Sequence, residues 1–423
     1  MTSPAGAGAA PAIGTAERQA LQRRTLNSLR LAQVPGQAAV AGMVAVVSLL
    51  ARDLLGSDRL AGMGSAAFTA GAALTMIPLA AHMRRHGRRP GLIRALLIGA
   101  CGSAVAAVGG EAGLFPIFII GMVAFGAGQA ATLQQRYVAA DLAAPEQQAT
   151  AIAAIVWIGT LGAIFGPLMT PIEKRFAESV GLDPLVGPYL FAALFFVIAA
   201  LVVYMRLRPD PLAVTVGLQP DAERVHPVHQ VRSSVRTIRA APGATLGLVA
   251  MAISQGTMVG VMTMTPPHMD DHGHADLSAA VIAVHIMGMY GLAPFVGRFV
   301  DSVGRIRSIQ VGAVVLGLGT VATVVAGYVP VLMFAGLFFL GLGWNIGLIA
   351  GSALLTSSVP EKSRVEVQGT SDLTMSLCGA LAAFSSGFVK EEMGFHLLAN
   401  GAAAFAGLLL ILAWMTGARL RTV

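Results

Sequence analysis

Charge is scarce in this sequence. Asp, Glu, Lys and Arg make up 12% of its 423 residues, roughly half the share that a water-soluble domain carries. The apolar residues, 55% of the chain, come in runs near the ~20 needed to cross a bilayer. Together these features exclude a water-soluble enzyme, a nucleic-acid-binding module and a disordered protein. Cysteine is nearly missing too. Cys101 and Cys378 both lie within apolar runs and form neither a CxxC motif nor a disulfide framework. Neither a phosphate-binding GxxxxGK[ST] sequence nor a nucleophile elbow is present, so no enzyme activity is expected and no ATP-binding domain can supply energy. The first 15 residues, rich in Ala, Gly and Pro, lack a charged region followed by an apolar core, so no cleaved signal peptide is expected. What is present instead is apolar sequence in long runs and 50 glycines, and small residues let membrane helices approach closely. This is the composition of an all-α polytopic membrane protein.

Apolar windows fall at about 31–51, 60–82, 91–109, 113–137, 150–171 and 187–206, and again at about 245–266, 278–297, 309–328, 329–355, 366–388 and 395–417. This predicts twelve transmembrane helices. Between the two sets lies a polar stretch with Arg208, Arg224, Arg232, Arg236 and Arg239. The expected organisation is an N-terminal tail (1–30), a six-helix bundle (31–206), a central loop (207–243), a second six-helix bundle (244–417) and a short tail (418–423). The formal charge of +7 is then loop charge that orients the chain in the membrane. With both termini cytoplasmic, only Arg52, Arg59, Lys174, Arg175 and Lys390 of the 28 Lys and Arg fall outside. The positive-inside rule therefore predicts cytoplasmic termini, with the lipid bilayer as the main partner.

The loops carry repeated motifs. Between spans 8 and 9 stands Gly297-Arg-Phe-Val-Asp301-Ser-Val-Gly304-Arg305. The matching loop between spans 2 and 3 reads Ala80-Ala-His-Met-Arg84-Arg85-His-Gly87-Arg88-Arg89. The first resembles the GxxxDxxGR loop of the major facilitator superfamily. The second keeps its Gly-Arg-Arg end but has Ala80 and Arg84 in place of the usual Gly and Asp. The resemblance implies two six-helix bundles that rock about a midplane site, with Gly87, Arg88, Arg89, Gly297, Asp301, Gly304 and Arg305 acting at the gating loops. Arg84 implies an altered charge pair in the first half. Span 5 carries Gly162-Ala-Ile-Phe-Gly166-Pro167, similar to the GxxxGP core of a drug/proton antiporter motif, although Thr170-Pro171 replaces the Gly pair that follows. A close-packed, Pro-bent helix explains the same residues.

Within the spans, carboxylates are few. Asp372 sits near the start of span 11, and no carboxylate lies in the middle of spans 1 to 6. Sulfur is more informative. Seven of the 19 methionines lie between positions 251 and 289. Met258 and Met262 share one face of span 7, and His285 and Met289 one face of span 8, each at i, i+4 spacing. With span 7 ending near Pro266, a rise of ~1.5 Å per residue puts Met258 roughly 12 Å deep, His285 roughly 10 Å and Met289 roughly 16 Å. Three thioethers and an imidazole form a soft ligand set of the kind that selects Cu(I). Such spacings also arise by chance in a Met-rich core, because Met is an ordinary core filler. The loop that follows holds His268, Met269, Asp270, Asp271, His272, His274 and Asp276, either as an outer cation-collecting cluster or as a solvated loop.

MxxxM on span 7 with HxxxM on span 8 resembles the CcoA-like (CalT) transporter group, whose founding type is a bacterial copper importer that feeds cytochrome oxidase assembly. That resemblance implies Met258, Met262, His285 and Met289 as copper-binding positions. It also implies copper as cargo rather than a resident cofactor, and copper-accepting proteins on either side of the membrane. The same group includes riboflavin carriers. A carrier of riboflavin or another organic solute, or a multidrug exporter, would instead use Gln129, Trp157, Tyr290, Trp344 and Asn345 to line a larger cavity by stacking and amide hydrogen bonds.

Overall fold

A computed structural model describes residues 14–44, 46–56, 63–218, 227–271, 277–326 and 329–419 of the chain. Helices dominate and no strand occurs among the described residues, as expected where the bilayer offers the backbone no hydrogen-bond partner. The first half holds α1 (Thr15–Val44), α2 (Val47–Leu55), α3 (Met63–His86), α4 (Arg88–Glu111), α5 (Phe115–Ala140), α6 (Gln148–Ser179) and α7 (Gly187–Arg206). Two short helices follow, α8 (Pro211–Thr215) and α9 (Pro227–Ala240). The second half holds α10 (Pro242–Asp271), α11 (Ser278–Ile286), a π-helical turn (Met287–Gly291), α12 (Ala293–Val303), α13 (Arg305–Ala326), α14 (Pro330–Ser357) and α15 (Arg364–Arg419).

Ten helices among the described residues are long and apolar enough to cross a bilayer, and the bent pair 280–291 and 293–303 makes an eleventh. The expected count was twelve. The difference arises at the C-terminal end, where the predicted spans 11 and 12 run together as α15, whose helical course breaks at Gly394 (φ 81°, ψ 162°). At the other end, α1 begins at Thr15, well before its apolar window. Its polar first turns are held on the end of α5, with Arg18 Nε donating to the Leu142 carbonyl at 3.1 Å and Gln22 Nε2 to that of Ala139 at 2.7 Å.

Contacts divide the chain into two compact units. Unit 1 comprises residues up to Ala144, Leu161–Ser233 and Glu361–Gly369, and unit 2 comprises Pro145–Thr160, Ser234–Pro360 and the chain from Thr370 onward. Each unit therefore contains the opening turns of a helix from the other half of the sequence, α15 in unit 1 and α6 in unit 2. Both units are stitched by glycine seams. In unit 1, side chains at Gly99, Gly102 or Gly109 of α4 would run into the α5 backbone. In unit 2, side chains at Gly319 of α13 or Gly343 of α14 would meet the other helix in the same way. Such backbone-on-backbone contact replaces the hydrophobic driving force that lipid removes.

Candidate transport site and gating loops

Glycine marks both loop motifs. Gly87 (φ 101°) separates α3 from α4, and Gly304 (φ 96°) separates α12 from α13. A left-handed backbone there turns one helix directly into the next, at little cost only for a residue without Cβ. In unit 2, Asp301 accepts from the backbone N–H groups of Ala149 (3.1 Å) and Thr150 (2.8 Å), so it caps the start of α6. Gly297 lies against Thr150 and Ala153 of the same turn, and Arg305 donates to the Pro145 carbonyl and to Gln148 Oε1.

The first-half loop achieves the equivalent contacts in unit 1 with other residues. Ala80 packs on Gly369 of α15, so the small partner has moved to the opposite helix. Arg84 pairs with Glu366 on the first turns of α15 at 3.1 Å, where the usual motif has a carboxylate. Arg88 is fully buried. Its guanidinium holds both Asp141 oxygens (2.8 and 3.1 Å) and donates to Gln368 Oε1 at 2.7 Å. Burial pushes the Asp141 carboxyl up from its ordinary range, and the Arg88 guanidinium pulls against that. Arg89 donates its backbone N–H to Asp210 at 2.7 Å and lies over the Tyr204 ring. Asp141, Asp210, Glu366 and Gln368 are the partners that sequence analysis missed. The signal available was their position at or near helix ends.

The sulfur and imidazole residues all belong to unit 2. Met258, His285 and Met289 are buried and Met262 is half-buried. The helix bearing His285 is pressed onto α14, because side chains at Gly288 or Gly341 would strike the opposite backbone, that of His285 and Met289 included. There His285 Nδ1 donates to the Leu337 carbonyl at 2.7 Å, and its buried Nε2 has no hydrogen-bond partner. Two expectations need correction. The π turn Met287–Gly291 interrupts the regular i, i+4 register assumed for His285 and Met289. Helix α10 also continues through Pro266 to Asp271, which moves Met258 to about 20 Å from the helix end at ~1.5 Å per residue.

That extension also changes the expected outer loop. His268 and Met269 are buried helical residues, and His268 stacks on Phe395 with ring centroids 4.1 Å apart, so neither is a solvated loop residue. Asp270 and Asp271 end α10, and His272 and His274 lie outside the described residues. Among the described residues, no three of His, Cys, Asp or Glu form a metal-holding group.

The proposed lining of an organic-solute cavity is brought together only in part. Trp344 Nε1 donates to Gln255 Oε1 at 2.7 Å, and the Trp344 and Tyr290 rings meet edge to face at 5.7 Å. Asn345, next along α14, is fully buried with neither amide atom hydrogen-bonded. Gln129 belongs to unit 1, where its buried Oε1 is likewise unpartnered, and Trp157 is 42% exposed. Gln255 is a further residue that sequence analysis missed. So is Glu173 of α6, a buried acid with one unpartnered oxygen.

The sequence model of the Major Facilitator Superfamily matches residues 33–383. The chain belongs to this superfamily. It is thus a membrane transporter, and the family in general is not one of enzymes. Among Major Facilitator proteins it is 35% identical over 402 residues to YddS, an uncharacterised MFS-type transporter of Bacillus subtilis (strain 168), covering 94% of this chain and 92% of that protein. It is 27% identical over 381 residues to the riboflavin transporter RfnT of Brucella anthropi, covering 89% of this chain and 91% of RfnT. Among solved structures, a bacterial homologue of the iron transporter ferroportin in its outward-facing state aligns with a TM-score of 0.75 at 14% identity, over 93% of this chain and 99% of that one. This last likeness is one of fold.

Proposed function

We propose that this Major Facilitator protein takes up riboflavin or a solute of its class, a planar heteroaromatic ring bearing an imide edge and a polyhydroxyl chain. The carrying observation is the aromatic and amide group of unit 2. Trp344 is braced by Gln255 and Tyr290, and Asn345 is a buried amide with no partner. A buried, unsatisfied amide is costly, and an imide edge offers the paired donor and acceptors that would satisfy it. A tryptophan face offers the ring a stacking surface. The riboflavin transporter RfnT, similar over nearly its whole length, supports the same class. In this reading the protein sits in the bacterial cytoplasmic membrane with both termini inside. The Arg88–Asp141–Gln368 group and the Asp301 cap belong to the cytoplasmic gate, and a gradient drives alternating access. The test is uptake of labelled riboflavin into cells that cannot make it. Wild type should accumulate label above an empty-vector control, and Trp344→Ala should lower uptake at least tenfold at equal membrane level.

One observation favours a second reading, copper import. An imidazole whose Nδ1–H is held by a backbone carbonyl keeps its Nε2 lone pair ready, as metal-binding histidines do, and His285 is held in that way. Met258, Met262 and Met289 would then complete a soft site. Radioactive copper uptake that collapses in Met258→Ala and His285→Ala, while riboflavin uptake stays at background, would favour copper.

A further inference from the structure

A cavity of about 550 Å³ opens in unit 2 where the first turn of α13 meets the last turns of α15, within the roughly 300–1,000 Å³ typical of small-molecule sites. Arg305, Arg307 and Gln310 line one wall, and Trp414 and Gly417 the other. Gln310 donates across to the Ala413 carbonyl at 3.3 Å and closes the deep end. Arg307 is exposed and has no ion pair or hydrogen bond among the described residues. Arg305 reaches the Pro145 carbonyl and Gln148 Oε1, both neutral acceptors. Among the described residues, the lining thus holds two arginines and no carboxylate.

The corresponding junction of unit 1, after the other loop motif, is filled by the chain itself. There the Asp210 carboxylate lies so close to Gly87 that a side chain at that glycine would strike it, and it accepts from the Arg89 N–H at 2.7 Å. Arg89 also donates to the Tyr204 carbonyl at 2.8 Å and lies over the Tyr204 ring, on the last turn of α7. In unit 2 the glycine of the motif, Gly304, faces open space, and a Cβ there would meet nothing within 4 Å. One junction carries its own anion. The other keeps the arginines, the aromatic ring and the space.

Depth in the bilayer decides which anion fits. Trp414 lies five residues before the end of α15 at Arg419, roughly 7 Å at ~1.5 Å per residue, the level at which interfacial tryptophans meet lipid headgroups. It is 69% exposed, and Ile411, one turn deeper on the same face, is 56% exposed. An apolar track therefore leads from the cavity into the hydrocarbon. We propose that the cavity holds the headgroup of an anionic phospholipid. Its phosphodiester meets Arg307 and Arg305, its glycerol backbone lies against Trp414, and its acyl chains follow the outer face of α15. Guanidinium groups match phosphate oxygens in pairs, and basic pockets between membrane helices serve as headgroup sites.

The test is native mass spectrometry of the full chain in detergent, with phosphatidylglycerol or phosphatidylethanolamine of the same acyl chains added at equal concentration. Wild type should retain phosphatidylglycerol at least fivefold better. Arg307→Gln should bring its retention down to the phosphatidylethanolamine level, and Trp414→Ala should lower it at least threefold with every arginine in place. Both side chains are exposed, so the fold should survive, and an unchanged size-exclusion profile verifies it. Arg232 of α9 is an exposed arginine elsewhere on the chain, and Arg232→Gln, the control, should change nothing. An equal loss in Arg232→Gln, or no preference between the two lipids, would mean general attraction to a basic protein and overturn the proposal. Displacement of phosphatidylglycerol by millimolar inorganic phosphate would also overturn it, because the cavity would then be a site for a free anion.

Discussion

Arg88 and Asn345 are both fully buried polar residues, and they differ in how well they are satisfied. Arg88 holds Asp141 through two bonds and Gln368 through a third. Removing one member of a buried ion pair strands the other, at a cost of about 3–5 kcal/mol. Arg88→Ala should therefore lower the thermal melting temperature sharply in detergent. Arg88→Lys should recover only part of it, since an ammonium cannot reproduce the two-pronged contact. Asn345 should behave in the opposite way. Its amide atoms have no partner, so Asn345→Leu should leave the melting temperature unchanged or raised while uptake is lost. A large drop in melting temperature would assign the residue a structural role instead. Arg88 was legible in the sequence because it belongs to a repeated motif. Its partners were not, since Asp141 and Gln368 lie 53 and 280 positions away. Nor was the acceptor for His285, because a backbone carbonyl such as that of Leu337 has no sequence signature.

At the scale of helices and their junctions, the two loop motifs solve one packing problem with the partners exchanged. Gly297 faces Ala153 in unit 2, whereas Ala80 faces Gly369 in unit 1. Asp301 caps the start of α6, whereas Arg84 pairs with Glu366 near the start of α15. The expectation of an altered charge pair at Arg84 thus acquires a partner. Glu366→Arg should impair transport by setting two cations together, and the double exchange Arg84→Glu with Glu366→Arg should restore most of it. Failure of the double exchange would show that the pair contributes more than mutual attraction. Most span positions were legible, because long apolar runs can bury themselves only by crossing lipid. Helix ends were not. Hydropathy stops where polarity begins, yet α1 starts among polar residues at Thr15 and α10 continues past the apolar run to Asp271. This is why hydropathy predicts a loop at His268 and Met269, where the structure has helix. The π turn at Met287–Gly291 was missed for a related reason, since i, i+4 counting assumes a regular helix.

For the whole molecule, superfamily membership and the repeated loop motifs make this chain a transporter, while the choice of cargo rests on a few side chains in unit 2. The soft-ligand set was prominent in the sequence because methionine spacing can be counted. The Gln255–Trp344–Tyr290 contact was hidden because its members sit on three different helices. The central claim, uptake of a riboflavin-class solute, is tested most directly with purified protein in liposomes preloaded with unlabelled riboflavin, following entry of labelled riboflavin by exchange. The account predicts label accumulating well above protein-free liposomes, and its loss in Trp344→Ala and Asn345→Leu. Entry no faster than in protein-free liposomes, from protein that remains folded, would contradict it.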